Sequence, residues 1–433
     1  MAEHKMRDNT GEWFGSIPAD WTILALKYAF SIKKDIAGKL GYTVLSVTQK
    51  GIKPKDMLEK GQFAMDYSKY QVVNRGEFIM NHMDLLTGWV DIAQESGVTS
   101  PDYRVFYNTD PTRFFSEYYK YIFQFCYSNR VFYGMGQGVA GFGRWRLPSD
   151  MFLRFLLPVP QIDEQKAIAT YLDEQCTLID EAIAEAKASI DEYKGWKASI
   201  IFEVITKGVD KNAALKESGI SWIGQIPSTW NMCLIKYCTV KIGSGKTPSG
   251  GAEVYSDSGV MFLRSQNIYN EGLKLNDVSY ISEKIDSEMK NTRVQYRDVL
   301  LNITGGSIGR CCIFDLKDTP ANVNQHVCIL RTDPTKLLPE FLRYFWNSAC
   351  GPIVIEQYQT GGNRAGLNFE QIGNIKIPFC SLAEQSSMVR HLDDVCEVID
   401  DLVETKEKLI SELESYKRSL IYEVVTGKRK VVQ

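Results

Sequence analysis

The 433-residue sequence lacks any run of about 18 apolar residues, and residues 1–10 lack the apolar core of a secretory signal. We therefore expect neither a membrane span nor secretion. The ten cysteines are scattered without a CxxC pair, and only four histidines accompany them. This usage disfavours a disulfide framework and a structural zinc site, so we expect a reduced, cytoplasmic setting and no bound metal.

The sequence also lacks a catalytic constellation. The segment GSGKT at Gly243–Thr247 resembles a phosphate-binding loop, but that motif needs a glycine where Val240 stands, and Pro248 would interrupt the following helix. No glycine-rich motif for a methyl donor is present, nor an NPPY-type tetrapeptide for methylating an exocyclic amine. We therefore expect no catalytic residue and no cofactor in this chain.

What the sequence does contain is an internal repeat. Residues 13–28 read WFGSIPADWTILALKY, and residues 222–237 read WIGQIPSTWNMCLIKY. A second repeat pairs EQKAIATYLDEQCTLIDEAI from Glu164 with EQSSMVRHLDDVCEVIDDLV from Glu384. The stretches between these blocks are nearly unrelated. The chain is thus two tandem halves with shared ends and divergent inserts.

Each half ends in a long helix with a heptad seam. Apolar positions alternate spacings of four and three, and this mean period of 3.5 predicts a coiled coil over 162–206 and 382–426. The seam positions are Leu172, Ile179, Ile183, Ile190, Leu392, Ile399, Val403, Ile410 and Leu413. Residues 161–207 carry net charge −5 and residues 381–426 carry −6, which leaves +8 on the rest of the chain. The inserts therefore permit a polyanionic partner.

The inserts have mixed α/β character. Strand-like runs such as YRVFYN, VLLNIT and HVCILR are separated by polar, glycine-rich loops. Arginine can bind guanine and asparagine or glutamine can bind adenine, so these loops are candidates for reading base edges. The loop candidates are Asn81, Arg144, Arg146, Arg264, Gln266, Asn267, Thr304, Arg310, Asn324, Gln325 and Arg364.

The order of these motifs closely resembles the specificity subunit of type I restriction–modification enzymes. A W(I/F)GxIPxxW opening, a variable insert, an EQ…LD…ID helix and an I(F/Y)EV(I/V)T ending occur twice, from Trp13 to Thr426. The second insert has the family-like opening GKTPSGG at Gly245–Gly251, which adds Lys246 and Thr247 as candidates. The first insert departs from that pattern with SIKKDIAGK at Ser31–Lys39, where Lys33 and Lys34 are the candidates.

The resemblance implies an α+β protein in which two α/β target recognition domains are separated by a long antiparallel two-helix coiled coil, as a pseudo-twofold repeat. We expect the domains at 1–160 and 208–380, with the helices and a basic tail at 161–207 and 381–433. The family implies a non-catalytic subunit that reads a bipartite site in double-stranded DNA. Two methyltransferase subunits and the restriction/translocase subunits would join it and bring S-adenosylmethionine, magnesium and ATP.

Two alternatives come from other classes. One is an enzyme that acts on DNA by itself, which the missing donor and metal motifs disfavour. The other is a coiled-coil interaction scaffold that does not read DNA sequence, which the duplicated basic inserts disfavour.

Overall fold

The computed structural model describes residues 5–8, 12–55, 66–138, 145–248, 254–358 and 366–431. Two compact units are formed: unit 1 comprises residues 1–186 and 408–433, and unit 2 comprises residues 187–407. The boundary therefore falls inside each long helix, whereas the sequence predicted the helices as separate segments. No helix among the described residues is long and apolar enough to cross a membrane.

Unit 1 is built on a four-stranded antiparallel sheet in the order β4-β11-β8-β9, with smaller strand pairs around it. Its strands are β1 (Met6–Arg7), β2 (Ile17–Pro18), β3 (Thr22–Ala25), β4 (Phe30–Lys33), β5 (Leu45–Thr48), β6 (Gly51–Pro54), β7 (Gln71–Val73), β8 (Phe78–Met80), β9 (Val90–Ile92), β10 (Gly97–Thr99), β11 (Arg104–Asn108) and β12 (Leu156–Val159). Its helices are α1 (Ser116–Ser128), α2 (Val131–Gly134), α3 (Ser149–Arg154) and the start of α4 (Ile162–Lys207).

Unit 2 repeats this sheet with unlike residues, in the order β16-β24-β21-β22, and adds a three-stranded sheet β20-β17-β23. Its strands are β13 (Leu215–Glu217), β14 (Gln225–Pro227), β15 (Asn231–Leu234), β16 (Thr239–Ser244), β17 (Val260–Leu263), β18 (Ile268–Tyr269), β19 (Gly272–Leu273), β20 (Ser279–Ile281), β21 (Val299–Asn302), β22 (Cys311–Ile313), β23 (Ala321–Val323), β24 (Val327–Thr332) and β25 (Lys376–Phe379). Its helices are α5 (Ile235–Cys238), α6 (Glu283–Glu288), α7 (Pro339–Asn347), α8 (Cys350–Tyr358), α9 (Phe369–Gly373) and the start of α10 (Leu382–Val425).

Both faces of each four-stranded sheet are buried. Successive strand residues point to opposite faces, and both sets lie in apolar clusters. In unit 1, Phe78 and Phe106 stack at 4.8 Å between ring centroids, and Phe123 of α1 packs edge-on against both at 5.5 Å. Ile79 and Val105 pack in a separate apolar cluster. The aromatic helix α1 thus covers one face of the sheet, and the same alternation recurs in β21 and β24 of unit 2.

The repeated tryptophan and glutamate tie each insert to its helix. Trp21 Nε1 donates to Glu164 Oε2 at 3.0 Å in unit 1, and Trp230 Nε1 donates to Glu384 Oε1 at 2.9 Å in unit 2. The shared blocks of sequence are therefore shared joints between the opening strands and the long helices.

The two helix segments run antiparallel within each unit. In unit 1, Lys417 pairs with Asp180 at 2.6 Å, and the Tyr118 hydroxyl lies within hydrogen-bond distance of the carbonyls of Val425 and Pro158. The end of α10 therefore lies near the start of α4.

In unit 2, Lys197 pairs with Asp400 at 2.6 Å, and Trp230 contacts both Glu384 and the Gly208 position just after α4. The predicted helix bounds are correct to within one residue. All predicted seam residues are buried or half-buried: Leu172, Ile179, Ile183, Ile190, Leu392, Ile399, Val403, Ile410 and Leu413.

Candidate nucleic-acid interface

One end of the four-stranded sheet of unit 2 collects the polar loops. Because β24 is antiparallel to β16 and β21, the end of β16 at Ser244, the end of β21 at Asn302 and the start of β24 at Val327 lie together. Strands β17 and β23 run parallel and end beside each other. The Asn302 side chain donates to the Ser265 carbonyl at 2.9 Å, and this bond connects the end of β21 to the loop after β17. We call the loops 245–248, 264–267, 303–310 and 324–326 the reading edge of unit 2.

A chain of hydrogen bonds holds three of these loops together. Thr247 donates to the Gln325 amide oxygen, and Gln325 Nε2 lies 3.1 Å from His326 Nε2. The other ring nitrogen of His326, Nδ1, lies 2.5 Å from Thr304 Oγ1. Thr247, Gln325 and Thr304 were predicted from the sequence. His326 lies in the same NVNQH segment but was not among the predicted site residues. The polar side chains are thereby ordered relative to one another before any partner binds, which lowers the cost of binding.

Arg264 and Gln266 lie at the edge, directly after the end of β17. The Arg264 guanidinium lies 5.7 Å from the centroid of the Tyr255 ring, a cation–π contact that leaves the residue half-exposed. Gln266 is exposed and donates to Asp277 Oδ2 at 2.7 Å. Both side chains are accessible to a partner.

Asn267 has a different place from the one predicted. It is only 1% exposed, its Oδ1 accepts from the Arg264 backbone at 3.0 Å, and its Nδ2 donates to the carbonyls of Lys274 and Asp277. These bonds occupy the amide, so Asn267 shapes the loop and offers no free edge to a base. Asn324, also buried, accepts from the His326 backbone at 3.0 Å and has a similar loop-shaping position.

Two basic residues complete the edge of unit 2. The Arg310 guanidinium lies 4.4 Å from the centroid of the Tyr269 ring, and Lys246 is exposed. Gly245 beside Lys246 is required by contact, since a Cβ there would overlap the Val323 carbonyl. Gly243 and Ser244 belong to β16 and are extended, so GSGKT has no phosphate-loop conformation.

Unit 1 has an equivalent edge with different chemistry. Asn81 directly follows β8, close to the place that Asn302 has at the end of β21, and Asn81 Oδ1 accepts from the Met83 backbone at 3.3 Å. Lys34 and Arg146 are exposed. Lys33 is not available as predicted, because its Nζ pairs with Glu77 at 2.9 Å and the side chain is 16% exposed.

The two remaining candidates, Arg144 and Arg364, lie outside the described residues. The segments that follow them dock alike in the two units. The Leu147 backbone N–H donates to the His82 carbonyl at 3.0 Å, and the Leu367 N–H donates to the Ile303 carbonyl at 2.9 Å.

A buried cation supports the edge of unit 1. Arg104 is 3% exposed and its Nη2 donates to the Leu147 carbonyl at 2.7 Å. Burial lowers the pKa of Arg104 to about 10. Burial, followed by the charges of Arg104 and Arg146, lowers the pKa of His82 to about 4. His82 is therefore neutral at physiological pH.

The described residues contain no group of three or more His, Cys, Asp or Glu side chains placed to hold a metal ion. The interface consists of amides, hydroxyls, arginine and lysine, which suit hydrogen bonding to base edges and phosphates.

Comparison with known proteins gives consistent results. Residues 228–415 match the family described as the type I restriction modification DNA specificity domain. The chain is 27% identical over 295 residues to the MjaVIII specificity subunit of Methanocaldococcus jannaschii, covering 67% of this chain and 66%, just under two thirds, of that relative. It is 22% identical to the MjaX specificity subunit of the same organism, covering 96% of this chain and 95% of the relative.

Solved structures share the fold. A chain from a study of the assembly and conformational transition of a type I restriction–modification system matches with a TM-score of 0.73 and 14% identity, over 95% of this chain and 99% of that one. The HsdS subunit of Thermoanaerobacter tengcongensis matches with a TM-score of 0.53 and 13% identity, over 96% of this chain and 100% of that subunit. The doubled motifs, the doubled sheet and these similarities agree: residues 228–415 match the type I restriction modification DNA specificity domain, and the chain as a whole is similar to type I restriction enzyme specificity subunits.

Proposed function

We propose that this chain is the DNA-reading subunit of a type I restriction–modification complex. Each unit reads one half of a bipartite duplex site with the loops at the end of its four-stranded sheet. The observation that carries this proposal is the same sheet order in both units combined with unlike loops at the same strand ends. A common scaffold with different edges is what two different half-sites require.

The chemistry of the unit 2 edge supports direct readout. Arg264, Gln266 and Arg310 present the guanidinium and amide groups that distinguish guanine from adenine in the major groove. Gln325 is exposed beside them, with its amide held by Thr247 and His326. Lys246 supplies a charge for a phosphate. The basic surplus on the inserts supports binding to a polyanion, with an affinity that falls as salt rises.

Catalysis belongs to partner subunits in this proposal. Two methyltransferase subunits would bring S-adenosylmethionine, and restriction/translocase subunits would bring magnesium and ATP, so that this chain needs no cofactor. Such a complex acts on DNA in the cytoplasm.

Repeated apolar exposure supports two copies of one partner. Leu178 on α4 and Val398 on α10 occupy matched positions of the helix repeat and are 59% and 60% exposed. Trp196 and Tyr416 are also matched, and both are exposed. Leu178 and Tyr416 belong to unit 1, whereas Trp196 and Val398 belong to unit 2, so each unit offers one aliphatic and one aromatic anchor.

The test is selection of bound duplexes from a random pool by the complex of this chain with its cognate methyltransferase subunits. We expect enrichment of one motif made of two short specific halves and an unspecified gap, with an affinity that falls steeply between low and physiological salt. The methyltransferase subunits without this chain are the control and should enrich no motif. Binding without sequence preference would contradict the proposal and favour the scaffold alternative.

A further inference from the structure

A short repeat inside the divergent inserts marks a second surface. Residues 109–112 read TDPT, residues 332–335 also read TDPT, and each is followed by a basic residue, Arg113 or Lys336. The first turn follows β11 and the second follows β24, which occupy the same position in the two sheets.

The two turns have the same conformation. Asp110 Oδ1 accepts from the Thr112 backbone at 3.1 Å and from its hydroxyl at 2.6 Å. Asp333 Oδ1 accepts from the Thr335 backbone at 3.0 Å and from its hydroxyl at 2.7 Å. These bonds fix the turn and account for the aspartate and threonine. The basic residue after them is exposed in both units, and in unit 2 Lys336 Nζ also pairs with Asp333 Oδ2 at 3.1 Å.

A buried glutamine ties each turn to the start of a long helix. Gln165 Nε2 donates to the Arg113 carbonyl at 3.0 Å, and Gln385 Nε2 donates to the Lys336 carbonyl at 2.9 Å. Both glutamines are fully buried. The turn is therefore held rigidly on the scaffold that the two units share.

An exposed lysine–tyrosine pair lies beside each turn. Tyr28 is 61% exposed with Lys27 Nζ 5.0 Å from its ring centroid, and Tyr237 is 62% exposed with Lys236 Nζ at 5.4 Å. In unit 2 the Lys336 ammonium donates to the Tyr237 carbonyl at 3.2 Å.

Backbone bonds join the two elements in both units. The Thr109 N–H donates to the Ala29 carbonyl at 3.0 Å, and the Asp333 N–H donates to the Cys238 carbonyl at 2.9 Å. We call Lys27, Tyr28 and residues 109–113 the shared patch of unit 1, and Lys236, Tyr237 and residues 332–336 the shared patch of unit 2.

Folding does not explain why the tyrosine and its lysine are identical in the two units. They close the shared blocks at 13–28 and 222–237, but their side chains are largely in solvent, where a substitution costs little stability, whereas Trp21 and Trp230 of the same blocks are buried. In unit 2 Lys236 Nζ also donates to Asn374 Oδ1 at 2.8 Å, at the surface. The reading edges differ because they face different half-sites. A surface that stays the same in both units fits a partner that is the same for both.

The patch lies at the opposite end of the sheet from the reading edge. Thr239 pairs with Thr332 at the patch end of β16, and Ser244 pairs with Cys328 at the edge end. The six residues of β16 span five rises, so the two ends of the strand lie about 17 Å apart. The reading edge and the patch are therefore separate surfaces at opposite ends of the sheet.

We propose that each shared patch docks one copy of the methyltransferase subunit, in addition to the exposed helix residues. This inference rests on the proposed function. The partner surface is expected to hold a pocket for the tyrosine ring, lined by carboxylates that pair with the lysine and with Arg113 or Lys336. An exposed tyrosine flanked by cations is a typical anchor of such an interface.

The test measures the binding of cognate methyltransferase subunits to the full chain by native mass spectrometry and titration calorimetry. The wild-type chain is expected to bind two copies. Changing Lys27→Ala together with Tyr28→Ala should raise the Kd of one methyltransferase copy at least about tenfold. Changing Lys236→Ala together with Tyr237→Ala should raise the Kd of the other copy by a similar factor. All four changes together should weaken both copies.

The matched control is Lys317→Ala with Tyr296→Ala, a lysine 5.3 Å from an exposed tyrosine ring that has no counterpart in unit 1. It should leave both copies bound. Unchanged methyltransferase affinity in the four-residue variant would overturn the inference. The inference would also be overturned if, at saturating methyltransferase, the four-residue variant lost the same affinity for specific and for random duplexes. That result would mean that the patch contacts DNA phosphates. Failure of the proposed function would appear separately, as no sequence preference in the wild-type complex.

Discussion

At the scale of single residues, the structure separates side chains that face a partner from those that shape the loop. Arg310 is a half-exposed residue with its guanidinium 4.4 Å from the Tyr269 ring centroid, whereas Asn267 has its amide occupied by backbone groups. Both came from the same kind of loop pattern in the sequence. Exposure and bonding, which depend on distant residues, distinguish them.

Changing Arg310→Ala is expected to weaken binding of the recognised duplex by about 1–3 kcal/mol without lowering the melting temperature. If the arginine binds a base, the preference for that base should be lost at one position of the motif. If it binds a phosphate, the affinity for all sequences should fall by the same factor. Fluorescence anisotropy with the motif and its single-base variants measures both. Arg297→Ala is the control, since that arginine pairs with Glu340 away from the edge. A variant that binds every duplex as the wild type does would remove Arg310 from the interface.

His82 predicts a pH dependence of stability in unit 1. Its folded pKa of about 4 lies below the ordinary 6.5, so the unfolded chain takes up a proton first as pH falls. The stability that depends on neutral His82 is thus present above pH 6.5 and is lost progressively from there to about pH 4. Urea unfolding across this range should show the decline.

His82→Ile, which copies the counterpart Ile303, should flatten the decline, and His391→Gln on the surface of α10 should leave it unchanged. Equal slopes for His82→Ile and the wild type would show that another group causes the loss.

At the scale of elements, helices and central strands could be read from the sequence, because heptads and apolar alternation are local patterns. The expected helices at 162–206 and 382–426 are observed as Ile162–Lys207 and Leu382–Val425. A counterpart sheet in each half was expected from the repeat, but the order of its strands could not be read from the sequence, since the strands pair across long separations and the inserts differ.

The site was predicted only in part, for similar reasons. The partner of Lys33 is Glu77, which is 44 residues away in sequence. The TDPT turns are a weak signal in the sequence, because they are only four residues long and their spacing along the chain differs from that of the two longer repeats. Their identity is nevertheless visible in the sequence.

The buried glutamines at the helix starts should stabilise each unit separately. Gln165→Ala leaves the Arg113 carbonyl and the Phe115 N–H without their partner, and Gln385→Ala does the same to Lys336 and Leu338. Each change is expected to cost about 1–3 kcal/mol, because buried polar groups lose their bonds. Chemical denaturation measures this cost. Gln225→Ala on the surface should cost far less. Equal stability of all three variants would contradict the stabilising role of the two buried glutamines.

At the scale of the whole molecule, we expect the long helices to set the unspecified gap between the half-sites. Inserting four residues after Ala188 and after Lys408 lengthens both helices by about 6 Å, near two base pairs of about 3.4 Å each. The insertion locally unwinds a coiled coil, so some affinity should be lost as well. Sequencing of methylated DNA should show both halves retained and the gap longer by one or two pairs. An active variant that methylates the original spacing would make the helices a mere tether.

The two units are expected to read their half-sites independently of each other. The direct measurement replaces the second insert, residues 239–380, by the corresponding insert of another specificity subunit and sequences the methylated motif in cells. We predict that one half of the motif changes while the other half stays as in the wild type, because each reading edge is built within its own unit. A motif in which both halves change, or in which neither does, would contradict the account.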